Sequence, residues 1–217
     1  MMFESMEIMG TVHPVANWQK MAGGIKMGKD EQMDERLQIP REERTIYTGI
    51  RISGQWIDFE ERHFMEDKVA MMVPVEFKLM DEEVAKIKYP MDRRPGTILT
   101  DHTGTINILF SDLGEPMENE DAETVRDGVM RIMRRVNPGI KPQSTGLEEL
   151  EGKKIAYVEF SNPAMDGKLY NLMFFLEVWG KATMISINCL TKSMKYWKGP
   201  AFEMMQSLKV TAPHIDE

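Results

Sequence analysis

The sharpest chemical spacing in the chain is Gly23-Gly24-Ile25-Lys26-Met27-Gly28-Lys29-Asp30. It satisfies the G-x-x-x-x-G-K part of a phosphate-binding loop, in which backbone N–H groups and a lysine cradle phosphates. Asp30 stands where a serine or threonine would ligate magnesium, and its carboxylate would repel the phosphates. The preceding Asn17-Trp18-Gln19-Lys20-Met21-Ala22 does not read as a buried parallel strand. The match is therefore read as chance in a glycine- and lysine-bearing segment.

The histidines are His13, His63, His102 and His214, and none stands at an HxH, HExxH or HxxxH spacing from another. A metal centre is not expected from such a set. Asp101-His102 could pair a base with an orienting carboxylate. Adjacent residues in a hairpin tip rarely aim at each other, however, so ordinary turn chemistry is the preferred reading. Cys189, the single cysteine, lies in an apolar stretch and reads as a small buried hydrophobe in a reducing compartment. Neither GxSxG nor GxGxxG occurs.

Charge narrows the partners. The 217 residues carry a formal net charge of −8, which repels nucleic-acid backbones unless cations gather on one face. Arg126, Arg131, Arg134 and Arg135 are placed by helical spacing opposite an apolar stripe, among Glu123 and Asp127, and read as a solvated face. Lys192, Lys195 and Lys198 with Trp197 form a second basic group of no clearer meaning. The 21 methionines scatter through predicted strands and helices, and the adjacent pairs Met71–Met72 and Met204–Met205 would split between faces in a strand, so they read as core filler. The N-terminus has no basic region followed by an apolar run, and no window approaches a membrane span. A cytoplasmic protein is expected.

These residues need a scaffold. Residues 1–44 show no sustained period and read as a polar N-terminal arm; residues 45–217 read as one domain. Two strands meet around Glu66-Asp67-Lys68, and Val69, Met71 and Val73 of the second share a face before Pro74 ends it. A short helical or irregular connection follows, then a hairpin turning at Asp101-His102-Thr103-Gly104. Residues 120–136 form the clearest helix, with Ala122, Val125, Val129, Ile132, Met133 and Val136 on one stripe and Pro138-Gly139 after it. Leu147 to Glu151 reads as a connection into three consecutive strands. Tyr170, Leu172, Phe174, Leu176 and Val178 share one face of the middle strand, and Leu169, Met173 and Phe175 make the other apolar too, so it should be covered on both sides. A last helix runs from a cap near Thr191 or Ser193 to about Leu208, with Gly199-Pro200 as a break or kink. Helices segregated against a mostly antiparallel sheet make the class α+β.

This chain resembles the PsbP-like fold family, which includes the photosystem II extrinsic protein, the Ran nucleotide-release factor of yeast nuclear import and many bacterial proteins. The likeness is carried by Val73, Pro74 and Phe77, by the hairpin TILTDHTGTINILF, and by GKKIAYVEF, DGKLYNLMFFLEVWGKATMISINC and YWKGPAFEMMQSLKV, across about residues 65–210. It implies an α/β/α sandwich around a central antiparallel sheet, and binding rather than catalysis. The bacterial branch is the nearer likeness, and no functional residue of the family transfers.

The expectation is a non-enzymatic protein-interaction or accessory module without cofactor, binding a protein partner but neither nucleic acid nor membrane, with a homodimer open. Trp179 at a hairpin tip, His102 and Asp101 are the candidate interaction residues. Trp179 either folds back onto the sheet edge beside Val178 and Ala182 or projects as an aromatic anchor. The alternative is a small-ligand or metal-binding protein, or a hydrolase, using the sheet face near His102.

Overall fold

A computed structural model describes residues 39–40, 43–52, 54–90, 94–164 and 167–213. The phosphate-loop-like segment, His13, His214 and most of the proposed arm lie outside them.

The centre is a meander. Strands β8 (Lys141–Leu150), β9 (Lys153–Ala164), β10 (Gly167–Val178) and β11 (Lys181–Leu190) follow one another, each antiparallel to the last. The hairpin of β6 (Thr97–Thr100) and β7 (Ile106–Pro116) joins β11 through β7, and β5 (Lys78–Leu79) adds the far edge. The resulting seven-stranded sheet has the order β5-β6-β7-β11-β10-β9-β8. The earlier chain forms a two-stranded ribbon, β1 (Ile50–Ile52) with β2 (Gln55–Ile57). It also contributes β3 (Phe59–Phe64) and β4 (Val69–Pro74), which form a second sheet with β12 (Lys209–Val210).

Alternation decides which face each side chain meets. From β10, Tyr170, Leu172, Phe174, Leu176 and Val178 enter one continuous core with Val69, Met71 and Val73 of β4 and Trp197, Ala201, Met204 and Met205 of α3 (Met194–Gln206). Met173 and Phe175 point the other way, against Val129, Met130 and Met133 of α2 (Ala122–Val136). The middle strand is thus covered on both sides, as its sequence predicts, and the molecule is α+β with a large antiparallel sheet.

Three sequence expectations need correction. First, the stretch 141–150 is a ten-residue edge strand rather than a connection ending at Glu151. Pro142, Gly146 and a run of exposed side chains hid it, because an edge strand lacks the apolar alternation of a covered one. Gly146 is required there, since a Cβ would run into the Tyr157 ring. Second, α2 is rotated from the predicted stripe: Val136 is exposed and Arg126 is buried. The Arg126 guanidinium donates to the Gly146 carbonyl at 3.0 Å and pairs with Glu123 and Asp127, so it ties the helix to the edge strand instead of facing solvent. Third, of the break or kink expected at Gly199-Pro200 the break is absent, since α3 continues through Pro200, and a 3₁₀ turn over Thr191–Ser193 precedes it.

Candidate functional site

Asp101 is committed to its own loop. Its Oδ1 accepts from the N–H groups of Thr105 (2.8 Å) and Ile106 (2.9 Å), and its Oδ2 accepts from the Thr103 N–H and hydroxyl. This network, with Gly104 at φ +70°, closes the β6–β7 turn. His102 is exposed at the tip, with no hydrogen bond or ion pair among the described residues. A base oriented by the neighbouring carboxylate is therefore not what the structure builds, because every Asp101 contact points into the loop.

Trp179 does not project. Its indole N–H donates to the Thr211 carbonyl at 2.7 Å, its ring packs against the continuous core, and the Lys68 ammonium lies 5.3 Å from the ring centroid. The backbone there is left-handed (φ +53°), which folds the side chain back toward the C-terminal stretch. A half-buried ring with its polar tip satisfied fits the fold-back reading. Cys189 is buried, and burial pushes its thiol up to about 12, far from nucleophilic use at neutral pH.

Two polar clusters that the sequence did not disclose lie in the interior. On the α3 face, Glu159 of β9 accepts from the Tyr170 hydroxyl (2.7 Å), the Lys198 ammonium (2.7 Å) and the Ser144 hydroxyl. Burial would raise this carboxyl, but the hydrogen bonds from Lys198, Ser144 and Tyr170 outweigh it and hold the group below its ordinary value. The Tyr170 hydroxyl is pushed upward, by burial first and then by Glu159. Four elements, β8, β9, β10 and α3, meet in this cluster, which reads as a clamp: every participant is already paired.

On the α2 face, Asn107, Asn188, Asn171 and Asn162 stand on β7, β11, β10 and β9, all buried. Asn107↔Asn188 and Asn188↔Asn171 are direct cross-strand partners. Together with Ser186 this row separates two apolar patches. Tyr89, Ile98 and Leu109 lie under α1 (Glu82–Lys88), and Val158, Phe160, Met173 and Phe175 lie under α2. Burial pushes the Tyr89 hydroxyl up to about 12 while a hydrogen bond from Asn188 pulls the other way. The available sequence signal was four asparagines inside strands, where that residue is depleted.

The surface offers a third feature. Val75, Leu79, Val84 and Ile87 are exposed large apolar side chains within thirteen consecutive positions, and Leu79 is 71% exposed. Leu79 lies on β5, the terminal strand of the large sheet. Asp81 caps α1 by accepting from the Glu83 and Val84 N–H groups. The helix turns Ala85 and the following Tyr89 inward against Ile98 and Leu109, which leaves Val84 and Ile87 outward. Lys86 pairs with Glu82 (3.1 Å) and Glu83 (2.8 Å) beside them. Among the described residues, no three His, Cys, Asp or Glu side chains gather as metal ligands, and no helix is long and apolar enough to cross a membrane.

No family model and no curated protein matches this chain. Among solved structures it is similar to the cyanobacterial PsbP protein of Synechocystis, with 13% identity and a TM-score of 0.53 over 75% of this chain and 98% of that one. It is also similar to Mycobacterium tuberculosis LpqN, described as involved in cell envelope biogenesis, with 12% identity and a TM-score of 0.45 over 72% of this chain and 92% of that one. A Pseudomonas aeruginosa protein of unknown function, a putative regulator, matches with 10% identity and a TM-score of 0.42 over 72% of this chain and 99% of that one. The fold is PsbP-like, as the sequence resemblance implied.

Proposed function

We propose that this PsbP-like domain is a non-enzymatic accessory module that docks a protein partner on the surface formed by β5 and α1. The carrying observation is the concentration of exposed apolar side chains at Val75, Leu79, Val84 and Ile87. Scattered single exposed hydrophobes are ordinary, whereas several on one short stretch support an interaction surface there. The neighbouring Lys86, Glu82 and Glu83 supply the polar rim such interfaces carry. Leu79 and Ile87 take the anchor role that was one of the two readings of Trp179, because Trp179 already contacts its own chain. A cytoplasmic setting belongs to the same proposal and is supported by the lone, buried Cys189.

The test is co-purification of tagged full-length protein from its native cell, in parallel with a Leu79→Asp/Ile87→Asp variant of unchanged circular dichroism. A partner that is retained by the wild type and lost from the variant supports the reading. A partner retained equally by both moves the interface elsewhere.

A further inference from the structure

The two edges of the seven-stranded sheet are finished differently. β5 is two residues long, and Asp81 caps α1 soon after it, so little strand backbone lies open on that side. β8 is ten residues long. Its register with β9 shifts between Pro142 and Ser144, and from Ser144 to Leu150 the ladder is unbroken.

The turn after β8 decides which backbone groups this regular stretch leaves open. Glu151 (φ +50°) and Gly152 (φ +79°) join Leu150 to Lys153 in a two-residue loop with both central residues left-handed. The residues that close such a hairpin turn exchange hydrogen bonds, and bonded pairs then alternate along an antiparallel ladder. Glu148↔Ile155 and Gly146↔Tyr157 are therefore bonded pairs, and Thr145, Leu147 and Glu149 turn their N–H and C=O groups away from β9. β8 ends the strand order, so no described strand meets those groups. All three residues are exposed, and the central one is a large hydrophobe, Leu147, 43% exposed.

We infer that β8 is a dimerisation edge, on which a second copy of this chain pairs antiparallel about a two-fold axis at Leu147. The strand itself selects the register. With Leu147 opposite Leu147 of the partner subunit, Thr145 meets Glu149 of the partner subunit and Glu149 meets Thr145 of the partner subunit, so every outward group finds a mate. Moving the axis to Gly146 would set Glu149 against the irregular Gln143, and moving it to Glu148 would set Thr145 against the turn residue Glu151. Charge agrees with this register. Glu148 lies opposite Gly146 of the partner subunit, so no two acids stand directly opposite, and Lys141 comes beside the partner's turn that carries Glu151. The helices leave room as well. α2 packs over Val158 and Phe160 of β9 and Met173 and Phe175 of β10. The two copies of α2 would then lie about four strand spacings, roughly 19 Å, apart, against a helix diameter of about 10 Å. The inference is independent of the docking surface at β5 and α1, which lies on the opposite edge and stays open in the dimer.

Sedimentation equilibrium and thiol cross-linking of the full chain test this. At about 100 μM, where even a small interface is populated, the wild type should sediment with twice the mass of the chain. Leu147→Lys sets like charges directly opposite on the axis and should return it to a monomer with unchanged circular dichroism. Leu147→Cys should link to itself through a short bismaleimide, since opposite Cα atoms of a bonded pair are about 5.5 Å apart. Gln143→Cys should not, because its two copies lie about 25 Å apart along the paired strands. The native Cys189 is buried and does not compete. A monomeric wild type overturns the inference. A dimer that Leu147→Lys leaves intact, or that links through Gln143→Cys and not through Leu147→Cys, overturns it too, because the interface then lies elsewhere or in another register.

Discussion

The two faces of the seven-stranded sheet come from alternate positions of the same strands, yet they are built on different principles. The α3 face is one apolar cluster that runs from Leu99 and Phe110 through Ile187 and Phe174 to Ile155, and the second sheet closes it with Val69, Met71 and Val73. Its buried carboxylate, Glu159, is fully paired. The α2 face is divided: asparagines and Ser186 occupy the positions that hydrophobes fill on the other side. Area burial stabilises the first face without directional demands. The second relies on hydrogen bonds that contribute little each when made and cost more when left unmade. Disruptions should therefore be graded by volume on one face and by pairing on the other.

The largest effect should come from Phe174→Ala. Phe174 is wholly buried in the continuous cluster, and its truncation is expected to cost about 3–5 kcal/mol in urea unfolding. A cost below about 1 kcal/mol would break the comparison, because that face would then be loosely packed.

Trp179→Ala removes a half-buried ring and the bond to Thr211 and should lower stability by about 2 kcal/mol. Partner binding should stay unchanged. Weakened binding in a variant of wild-type stability would restore the anchor reading.

Asn188→Ala strips partners from both Asn107 and Tyr89 and is expected to cost about 1–3 kcal/mol. Asn188 and Asn107 changed together to apolar residues of similar shape should cost less than the sum of the single changes. Additive costs would show that the row is not a coupled network.

The Glu159 clamp adds a pH signature. Its folded-state pKa lies below the ordinary 4.5, so the stability it contributes is present above that value. That contribution is lost as pH falls through the depressed folded value. Glu159→Gln should flatten the acid limb of a stability-against-pH curve, and an unchanged limb would remove Glu159 from the account.

Cys189→Ala opens only a small space and should cost about 1 kcal/mol with function intact. The smallest effect belongs to the surface: Leu79→Asp/Ile87→Asp should change stability by no more than about 0.5 kcal/mol per site, which makes it a clean probe of docking.

Much of this was legible in advance, for identifiable reasons. The middle strand reads as covered on both sides because Tyr170 to Val178 is apolar at nearly every position, and the α2 helix reads clearly because its acids, arginines and Pro138 mark both ends. Strand β8 was not legible, because an exposed edge carries no apolar alternation. Arg126 was misplaced because helical spacing assigns a charge to solvent, and it cannot see a carbonyl on another strand. Asp101-His102 drew attention as neighbours in sequence, whereas the carboxylate's actual partners are the N–H groups of its own loop.

By itself the sequence determined periodicity, turn positions and class, because these depend on neighbours within a few residues. Only the tertiary structure decided which asparagines meet across four strands, that Glu159 collects a lysine from α3, that Trp179 turns inward to Thr211, and that Leu79 and Ile87 are left uncovered. The physical reason is register. A hydrogen bond between strand side chains depends on which residue stands opposite across a ladder, and a one-residue slip of a strand would send its asparagines or Glu159 to the other face.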